Sequence, residues 1–488
     1  MVSRKWVTLS NTTVGTFMAT LDSSIVLISL PTIGRELPGS DPAILLWVVL
    51  SYSLVTATLL LSFGRLSDMF GRVRLYTAGF AVFTIGSGLA SLSVDGGMLL
   101  GSRIVQGVGA GFLASNSAAI LTDAFPPNER GRALGLNQVA AIGGSVLGLV
   151  LGGILTTELG WRSIFWVNLP IGTFGTIWAF YQLVEMHVPE RDKSIDWAGN
   201  ITFGLGLTLG LLGTTLGALA GWTQPVVVVS LVASPILLAA FVAVERRVPH
   251  PMFDLALFRI RTFVAGNIAA GLSSLARGAF SFVLVFYFQG VLRDSPERAG
   301  ILLLPLGLAF AVAGPISGAV SDRTGARYLG TSGLLLSAVG FVILINFASN
   351  GPYLELAAAM VLLGIGQGMF AAPNRAEVMS SVPAERRGVA AGTGTTFLNG
   401  GNLGSLALGF TVMAASVPHA TIVAIFSGAS ATGSPIDATA FMDSLHLLFG
   451  ISLALTLAAA LANLLRGGRP EGANAAPPVP GATTDGRG

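Results

Sequence analysis

The chain has 488 residues, of which 52% are hydrophobic and only 10% are Asp, Glu, Lys or Arg, and its mean hydropathy is +0.74. A soluble domain carries about 25% charged residues, so this composition excludes an ordinary water-soluble enzyme and predicts a protein embedded in a lipid bilayer. The absence of Cys excludes disulfides and thiolate chemistry, and four His leave little for a metal site, so no metal and no cofactor are expected. The small net charge of +3 gives no reason to expect a nucleic-acid partner.

Fourteen apolar runs are long enough to cross a hydrocarbon core of about 30 Å. In chain order they cover residues 8–30, 43–63, 75–94, 98–121, 133–157, 163–184, 197–219, 225–244, 262–289, 299–319, 328–348, 354–377, 388–412 and 443–465. The connections between them are too short for a soluble catalytic domain, the longest being the external segment 413–442. The predicted fold class is therefore an all-α polytopic membrane protein with fourteen transmembrane helices.

Lys and Arg are distributed unevenly between the two sides of this arrangement. With the N-terminus in the cytoplasm, 21 of the 27 Lys and Arg residues fall on cytoplasmic segments and four on external ones. Because cationic loops remain in the cytoplasm, we expect both termini to be cytoplasmic and the protein to lie in the cytoplasmic membrane.

Two pairs of cytoplasmic loops indicate an internal duplication. In the first pair, the loop GRLSDMFGRVR begins at Gly64 and the loop GAVSDRTGARY begins at Gly318, 254 residues later. In the second pair, Glu129 and Glu385 occupy matching positions 256 residues apart. Parallel repeats of six helices are a transporter architecture, and the surplus of about 60 residues fits two inserted helices. We divide the chain into an N-terminal six-helix bundle (1–190), a two-helix insert (191–250), a C-terminal six-helix bundle (251–466) and a disordered cytoplasmic tail (467–488).

Four motifs identify a candidate family. They are Leu21-Asp22-Ser23-Ser24-Ile25-Val26 in span 1, the loop from Gly64 to Arg74, the segment from Arg103 to Gly109 in span 4, and the span 5 glycines Gly135, Gly144, Gly148, Gly152 and Gly153. Together they resemble the major facilitator superfamily, and in particular its fourteen-span drug/proton antiporter branch. The resemblance implies two six-helix bundles, alternating access, and bending of span 5 at its glycines. That branch has Pro after the third glycine of span 5, whereas this chain has Leu149, which weakens the assignment of antiport.

Apart from charged residues within three positions of a span end, three charged residues fall inside the predicted spans, namely Asp22, Arg103 and Arg277. A charge at a helix centre costs roughly 2.5 to 3.5 kcal/mol, so each is a candidate functional group. Asp22 and Arg103 have similar depths, and Gln106 lies one turn further along span 4. If spans 1 and 4 touch, as the family fold implies, these three residues are predicted to form a proton-coupling site in which a conformational change alters the protonation of Asp22. The alternative is a permanent ion pair with a structural role.

Arg277 lies at the position that the repeat offset assigns to Asp22 in the second half. We expect it either to hold Asp22 until protonation releases it or to bind an anionic substrate group; a contact with a backbone carbonyl is the alternative. The other predicted cavity residues are Asn267, Phe280, Phe286, Tyr287, Gln289, Phe397, Asn399 and Asn402. Such a sparse polar set among aromatic side chains suits a lipophilic or amphipathic small molecule.

The first loop motif is predicted to act as a cytoplasmic gate. Its charged residues are Arg65, Asp68, Arg72 and Arg74, in a tight turn that we assign to Gly64 and Gly71, and Asp322 is the acid of the second loop. We expect ion pairs between neighbouring helix ends that exist in only one state of the transport cycle.

The most favoured function is a proton-coupled exporter of lipophilic or cationic small molecules, acting as a monomer with the proton gradient as its energy source. An exporter of an endogenous lipid or metabolite and a non-transporting membrane sensor or scaffold are the alternatives. The sequence has no HExxH motif and no buried His to activate a nucleophile, so we do not expect an enzyme.

Overall fold

A computed structural model describes residues 4–126, 129–186, 196–248, 253–348, 351–383, 386–418, 421–422 and 438–466. All regular elements in these ranges are helical, as the composition predicted. The helices, in chain order, are α1 (Arg4–Glu36), α2 (Pro42–Phe70), α3 (Arg72–Ser91), α4 (Gly96–Ala124), α5 (Arg130–Leu159), α6 (Ser163–Trp166), α7 (Asn168–Gln182), α8 (Trp197–Ala220), α9 (Pro225–Glu245), α10 (Arg261–Arg277), α11 (Phe280–Phe286), α12 (Pro296–Leu302), α13 (Leu304–Thr324), α14 (Ala326–Ile345), α15 (Tyr353–Ser380), α16 (Arg387–Ser416) and α17 (Ala438–Leu464). A 3₁₀-helix (Leu255–Arg259) precedes α10 and a π-helical turn (Tyr287–Val291) follows α11.

Short polar signals set several helix starts. The carboxylates of Asp41 and Asp95 accept hydrogen bonds from the backbone N–H groups of Ile44 (2.8 Å) and Met98 (2.7 Å), which caps α2 and α4. Asp196 caps α8 in the same way. These caps allow long apolar helices to begin at defined residues close to the membrane surface.

Thirteen helices within the described ranges are long and apolar enough to span a membrane. Three of them combine two or more elements: α6 with α7, α10 with α11 and the π-helical turn, and α12 with most of α13. The predicted span 388–412 corresponds to α16, which has 30 residues but is less apolar because of its glycines and of Asn399 and Asn402. Most of the predicted external segment 413–442 and the whole tail 467–488 lie outside the described residues.

The two gate loops have the same backbone structure. Gly71 alone separates α2 from α3 with φ +107°, and Gly325 alone separates α13 from α14 with φ +83°. Glycine is the residue that adopts such angles without steric cost. The sequence repeat is therefore also a repeat of backbone conformation.

The two halves touch at one end of the molecule. We call the end at which α1 begins and α17 ends the terminal end, and the opposite end the far end. At the far end a Cβ on Gly300 of α12 would lie 2.5 Å from the carbonyl oxygen of Leu149 in α5, and the Gln289 side chain donates to the Ile28 carbonyl of α1 at 2.8 Å. These contacts close the far end.

Toward the terminal end the same helices are separated. A Cβ added at Gly135 or Gly143 of α5, or at Gly314 or Gly318 of α13, would meet no atom within 4 Å. The two halves thus diverge toward the terminal end, and we call the space between them, which the far-end contacts close, the central cavity.

The inserted helices lie on one flank of this cavity. α8 packs against α9 and also against α2 and α16, one helix from each half. Trp47 of α2 donates to the Thr215 hydroxyl of α8 at 3.3 Å. The insert therefore covers the seam between α2 and α16.

The end of α17 is anchored inside the C-terminal half. Arg466 is only 2% exposed, pairs with Glu377 of α15 at 2.7 Å and donates to the Asn374 side chain. Burial lowers the pKa of this guanidinium, and the Glu377 carboxylate offsets part of that change.

Candidate proton-coupling and substrate site

Glycines bring α4 close to its neighbours and thereby place its polar side chains. A Cβ on Gly107 would lie 2.9 Å from the Tyr52 carbonyl of α2, and one on Gly109 would lie 2.7 Å from the Phe83 Cα of α3. Such contacts are possible only between helices with small residues at the interface. They direct Arg103 and Gln106 into the interior of the N-terminal half.

Asp22 lies at the centre of a buried polar network. One carboxylate oxygen accepts from Arg103 at 2.5 Å, and the other accepts from Gln106 at 3.1 Å and from Asn168 of α7 at 2.7 Å. Asp22 is 0% and Arg103 1% exposed. The carboxylate is therefore both paired and fully hydrogen-bonded, with no access to the cavity in this conformation.

Three further groups complete the network. Arg103 donates to the Val48 carbonyl at 3.2 Å and its guanidinium carbon lies 4.3 Å from the centre of the Tyr52 ring, while Gln106 donates to the Ser87 hydroxyl at 2.6 Å. The network thus joins α1, α2, α3, α4 and α7. Asn168, Tyr52 and Ser87 were not predicted, because a single polar residue in an apolar span carries no sequence signature of its partner.

This arrangement has two chemically distinct forms. With Asp22 ionised, Arg103 is neutralised and the helices around it are held together. Protonation of Asp22 would remove that charge pair and leave a buried cation without a counter-ion, an expensive state that favours rearrangement. The network can therefore couple a proton to helix packing.

Arg277 does not contact Asp22, and the repeat geometry gives the reason. A Cβ on Gly144 of α5 would lie 3.1 Å from the Leu21 amide of α1, and one on Gly401 of α16 would lie 3.0 Å from the Leu275 amide of α10. Leu21 and Leu275 are thus equivalent positions, 254 residues apart.

This register makes Ala276, and not Arg277, the counterpart of Asp22. Arg277 corresponds to Ser23, which is exposed. A shift of one residue rotates a side chain by about 100° around a helix, so Arg277 points away from the intrabundle position that Asp22 occupies. The prediction that Arg277 holds Asp22 is wrong for this conformation.

Arg277 is the last residue of α10, beside a break in span 9. Its Nε is buried without a hydrogen-bond partner, and the described residues supply no partner for its other nitrogens. The break is stabilised from α16: the Ser405 hydroxyl accepts from the Ala279 N–H at 2.7 Å, and the side-chain oxygen of Asn402 accepts from the Ser274 hydroxyl at 3.0 Å. Arg277 and Asn402 therefore flank the same interruption.

Three predicted cavity aromatics are packed in the protein interior. Phe280, Phe286 and Tyr287 are each at most 2% exposed. Their rings contact Phe449, Phe282 and Phe347, respectively. In this conformation they do not line the open cavity, contrary to the prediction. The segment that follows the break after α10 belongs to the closed far end.

The remaining predicted cavity residues differ in their positions and contacts. Asn267 is buried and its amide donates to the Phe263 carbonyl of its own helix, so it does not line the cavity, and Gln289 belongs to the far-end closure. Phe397 packs against Phe258, with ring centres 6.4 Å apart. Asn399, like Asn402, is partly exposed on α16.

The gate motif forms ion pairs within one half. Arg72 pairs with Asp68 of α2 and with Asp123 of α4, each at 2.8 Å. Asp123 was not predicted, because it follows an apolar span outside the motif. Gly64 was predicted to form part of the turn. That prediction is wrong, because α2 continues through Gly64 to Phe70.

The other gate residues have separate positions. Arg74 is exposed, and Arg65 lies on α2 one turn before Asp68. The Glu185 carboxylate accepts from the Val73 N–H at 2.9 Å and covers Gly71. Asp322 lies in α13, but its side chain lies outside what the structure describes.

The span 5 glycines divide into three groups. Gly144, Gly148 and Gly152 face the backbone or side chains of α1, Gly153 faces the first residues of α12, and a Cβ on Gly135 would meet nothing within 4 Å. α5 is a continuous helix through Leu149. Four of the five predicted glycines therefore mediate close packing, and Gly135 does not.

Arg375 is the third residue from the end of the predicted span 354–377 and was not predicted to be a functional intramembrane charge. It lies in α15 near the terminal end, is exposed, and has no ion-pair partner among the described residues. The apolar run assigned to this helix ends too close to it for the pattern alone to separate it from the loop.

Comparison with known proteins agrees with this architecture. The sequence matches the Major Facilitator Superfamily over residues 12–196, 198–406 and 266–481. It is 34% identical over 387 residues to the riboflavin transporter RibZ of Clostridioides difficile (strain 630), covering 79% of this chain and 83% of that protein. It is 31% identical over 482 residues to the puromycin resistance protein pur8 of Streptomyces alboniger, covering 96% and 93%.

Solved structures show the same fold at low sequence identity. A bacterial homologue of the human lysosomal transporter Spinster, in an inward-facing and unoccupied conformation, superposes with a TM-score of 0.64 at 16% identity, covering 95% of this chain and 97% of that one. An auto-inhibited POT family peptide transporter gives a TM-score of 0.66 at 17% identity, covering 96% and 98%. The helices, the repeat and these matches establish that the chain is a multi-pass membrane transporter, not an enzyme, and belongs to the major facilitator superfamily.

Proposed function

We propose that this transporter is a proton-coupled exporter of lipophilic or amphipathic small molecules. The observation that carries the proposal is the buried network around Asp22, in which one carboxylate is bound by Arg103, Gln106 and Asn168. A group that is sealed in one conformation and must lose its pairing on protonation suits the exchange of a proton for a substrate.

The shape of the molecule supports alternating access. The cavity is open at the terminal end, and the Lys and Arg distribution assigns this end to the cytoplasm of a cell membrane. In this conformation a substrate would enter from the cytoplasm while the far end stays closed. Protonation of Asp22 would take place in the opposite, outward-open conformation.

A second candidate function is export of an endogenous metabolite. It is favoured by the similarity to a riboflavin transporter and by Arg277, an uncompensated cation beside the cavity. Both candidates use the same proton site and differ in the compound that discharges a proton gradient.

The test is proton flux in proteoliposomes with an imposed pH gradient. The parent is compared with Asp22→Asn and with Glu158→Gln, which removes an exposed carboxylate at the far end of α5. We expect tetraphenylphosphonium, decyl sulfate or riboflavin to discharge the gradient in the parent and in Glu158→Gln, but not in Asp22→Asn. Equal flux in the parent and Asp22→Asn, or no discharge by any of the compounds, would contradict the proposal.

A further inference from the structure

The charges beside the cavity are unbalanced. Between the helix ends, the acids with a described ion pair are all engaged within their own half: Asp22 with Arg103, Asp68 and Asp123 with Arg72, and Glu377 with Arg466. Arg277 and Arg375 have no acidic partner among the residues that the structure describes. Among the side chains that the structure describes here, the pairing thus leaves positive charge and no free carboxylate.

Arg277 differs from a buried structural arginine. Arg103 and Arg466 each pair with a carboxylate, whereas no nitrogen of Arg277 has a hydrogen-bond or ion-pair partner among the described residues. A buried guanidinium without an acceptor is unfavourable, so this position is suited to an acceptor that a ligand supplies.

A second donor stands at the same break. The side-chain oxygen of Asn402 accepts from the Ser274 hydroxyl and would lie 3.0 Å from a Cβ on Gly278, the residue after Arg277. The amide nitrogen of Asn402 then has no hydrogen-bond acceptor among the described residues and is not among the buried unsatisfied atoms, so it is not sealed in the interior. A guanidinium and an amide N–H₂ at one interruption are a suitable pair of donors for a carboxylate or phosphate.

We propose that the transported compound carries an acidic group on an apolar body, and that Arg277 and Asn402 bind this group at the break between α10 and α11. This rests on the proposed transport function and narrows its substrate class. A cationic compound would meet Arg277, and no described side chain beside it offers a free carboxylate in compensation. The acidic group can belong to a soluble amphiphile or to a lipid headgroup, and both present the same chemistry.

The test is equilibrium binding, which requires no proton gradient. Purified protein in nanodiscs of zwitterionic lipid is titrated with decanoate, decanamide and decyltrimethylammonium, three compounds with the same chain and different charge. We expect decanoate to bind at least about tenfold more tightly than the other two, because a hydrogen bond to a charged group contributes that much. Arg277→Gln should remove this preference, Arg277→Lys should retain part of it, and Arg293→Gln, at an exposed arginine outside the cavity, should leave it intact.

Equal binding of the three compounds by the parent, or an undiminished preference in Arg277→Gln, overturns the proposal. Thermal unfolding of each variant shows whether it is folded. If Arg277→Gln does not fold, Arg277→Lys still tests the proposal. Nanodiscs containing phosphatidylglycerol separate the two sources: weaker decanoate binding there indicates a lipid headgroup in the site, and unchanged binding indicates a soluble amphiphile. Loss of proton flux in Asp22→Asn with normal decanoate binding would leave both this proposal and the proposed function standing, whereas normal binding with no flux in the parent would contradict only the latter.

Discussion

The two halves have the same helix packing but differ in whether their buried charges have partners. In the N-terminal half Asp22 is enclosed by Arg103, Gln106 and Asn168, and every carboxylate oxygen has a donor. In the C-terminal half the equivalent position is Ala276, and the charge is carried one residue later by Arg277, which has a buried unpartnered nitrogen. Equivalent glycines, Gly144 and Gly401, position the helices in both halves.

This difference indicates a division of labour on a duplicated scaffold. Asp22, in a hydrogen-bonded ion pair, is suited to change its protonation when the helices rearrange. Arg277, a cation without a partner among the described residues, is suited to bind a ligand. A displacement by one residue is sufficient to move a charge from a site inside one bundle to a site beside the cavity. The following variants test whether the halves differ in this way.

The largest expected effect is on the N-terminal charge pair. Arg103→Leu leaves Asp22 buried without its counter-ion, and we expect a loss of about 3–5 kcal/mol in stability, because breaking a buried ion pair costs this much. The double variant Asp22→Asn with Arg103→Leu should recover much of that loss. Thermal unfolding in detergent measures the stability of the single and the double variant. If Arg103→Leu is as stable as the parent, the ion pair does not contribute to stability.

The opposite change is expected at the C-terminal charge. Arg277→Gln removes an unpartnered cation, so the protein should become more stable, by up to about 2.5–3.5 kcal/mol, the insertion cost of a central charge. The same unfolding measurement applies, without added ligand. A destabilised but folded Arg277→Gln would mean that Arg277 has a structural partner and that the two halves do not differ as described.

Packing should respond equally in both halves. Gly144→Val and Gly401→Val place side chains against the backbone of α1 and α10, and each should lose about 1–3 kcal/mol through overpacking. Gly135→Val is the matched control on the same helix as Gly144, with no atom within 4 Å of its Cβ, and should change little. Unequal effects at Gly144 and Gly401 would argue against their equivalence.

The smallest effect is expected at the gate loop. Arg72→Ala breaks partly exposed ion pairs to Asp68 and Asp123, worth about 1 kcal/mol, which shifts a conformational equilibrium roughly fivefold toward the outward-open form. Because the chain has no Cys, a single cysteine at exposed Val139 of α5 can report opening of the terminal end by its labelling rate. Labelling that is slowed as much by Arg74→Ala as by Arg72→Ala would show that the ion pairs do not matter.

Composition and motifs sufficed to predict most of the architecture, because spans, turns and loop charges are local properties. The Asp22–Arg103 contact was predictable from depth together with the family resemblance. Asn168 and Asp123 were not, since each is a lone polar residue whose partner lies on another helix. The register of Arg277 was also out of reach, because repeat offsets from loops vary between 254 and 256 and a one-residue difference decides the direction of a side chain.

The division of labour is tested most directly by measuring two properties in the same two variants. Proton flux driven by riboflavin in proteoliposomes reports on Asp22, and decanoate binding reports on Arg277. We predict that Asp22→Asn loses this flux and binds decanoate normally, while Arg277→Gln keeps the flux and loses the preference for decanoate. If either variant loses both properties or neither, the assignment of proton and substrate to different halves is contradicted.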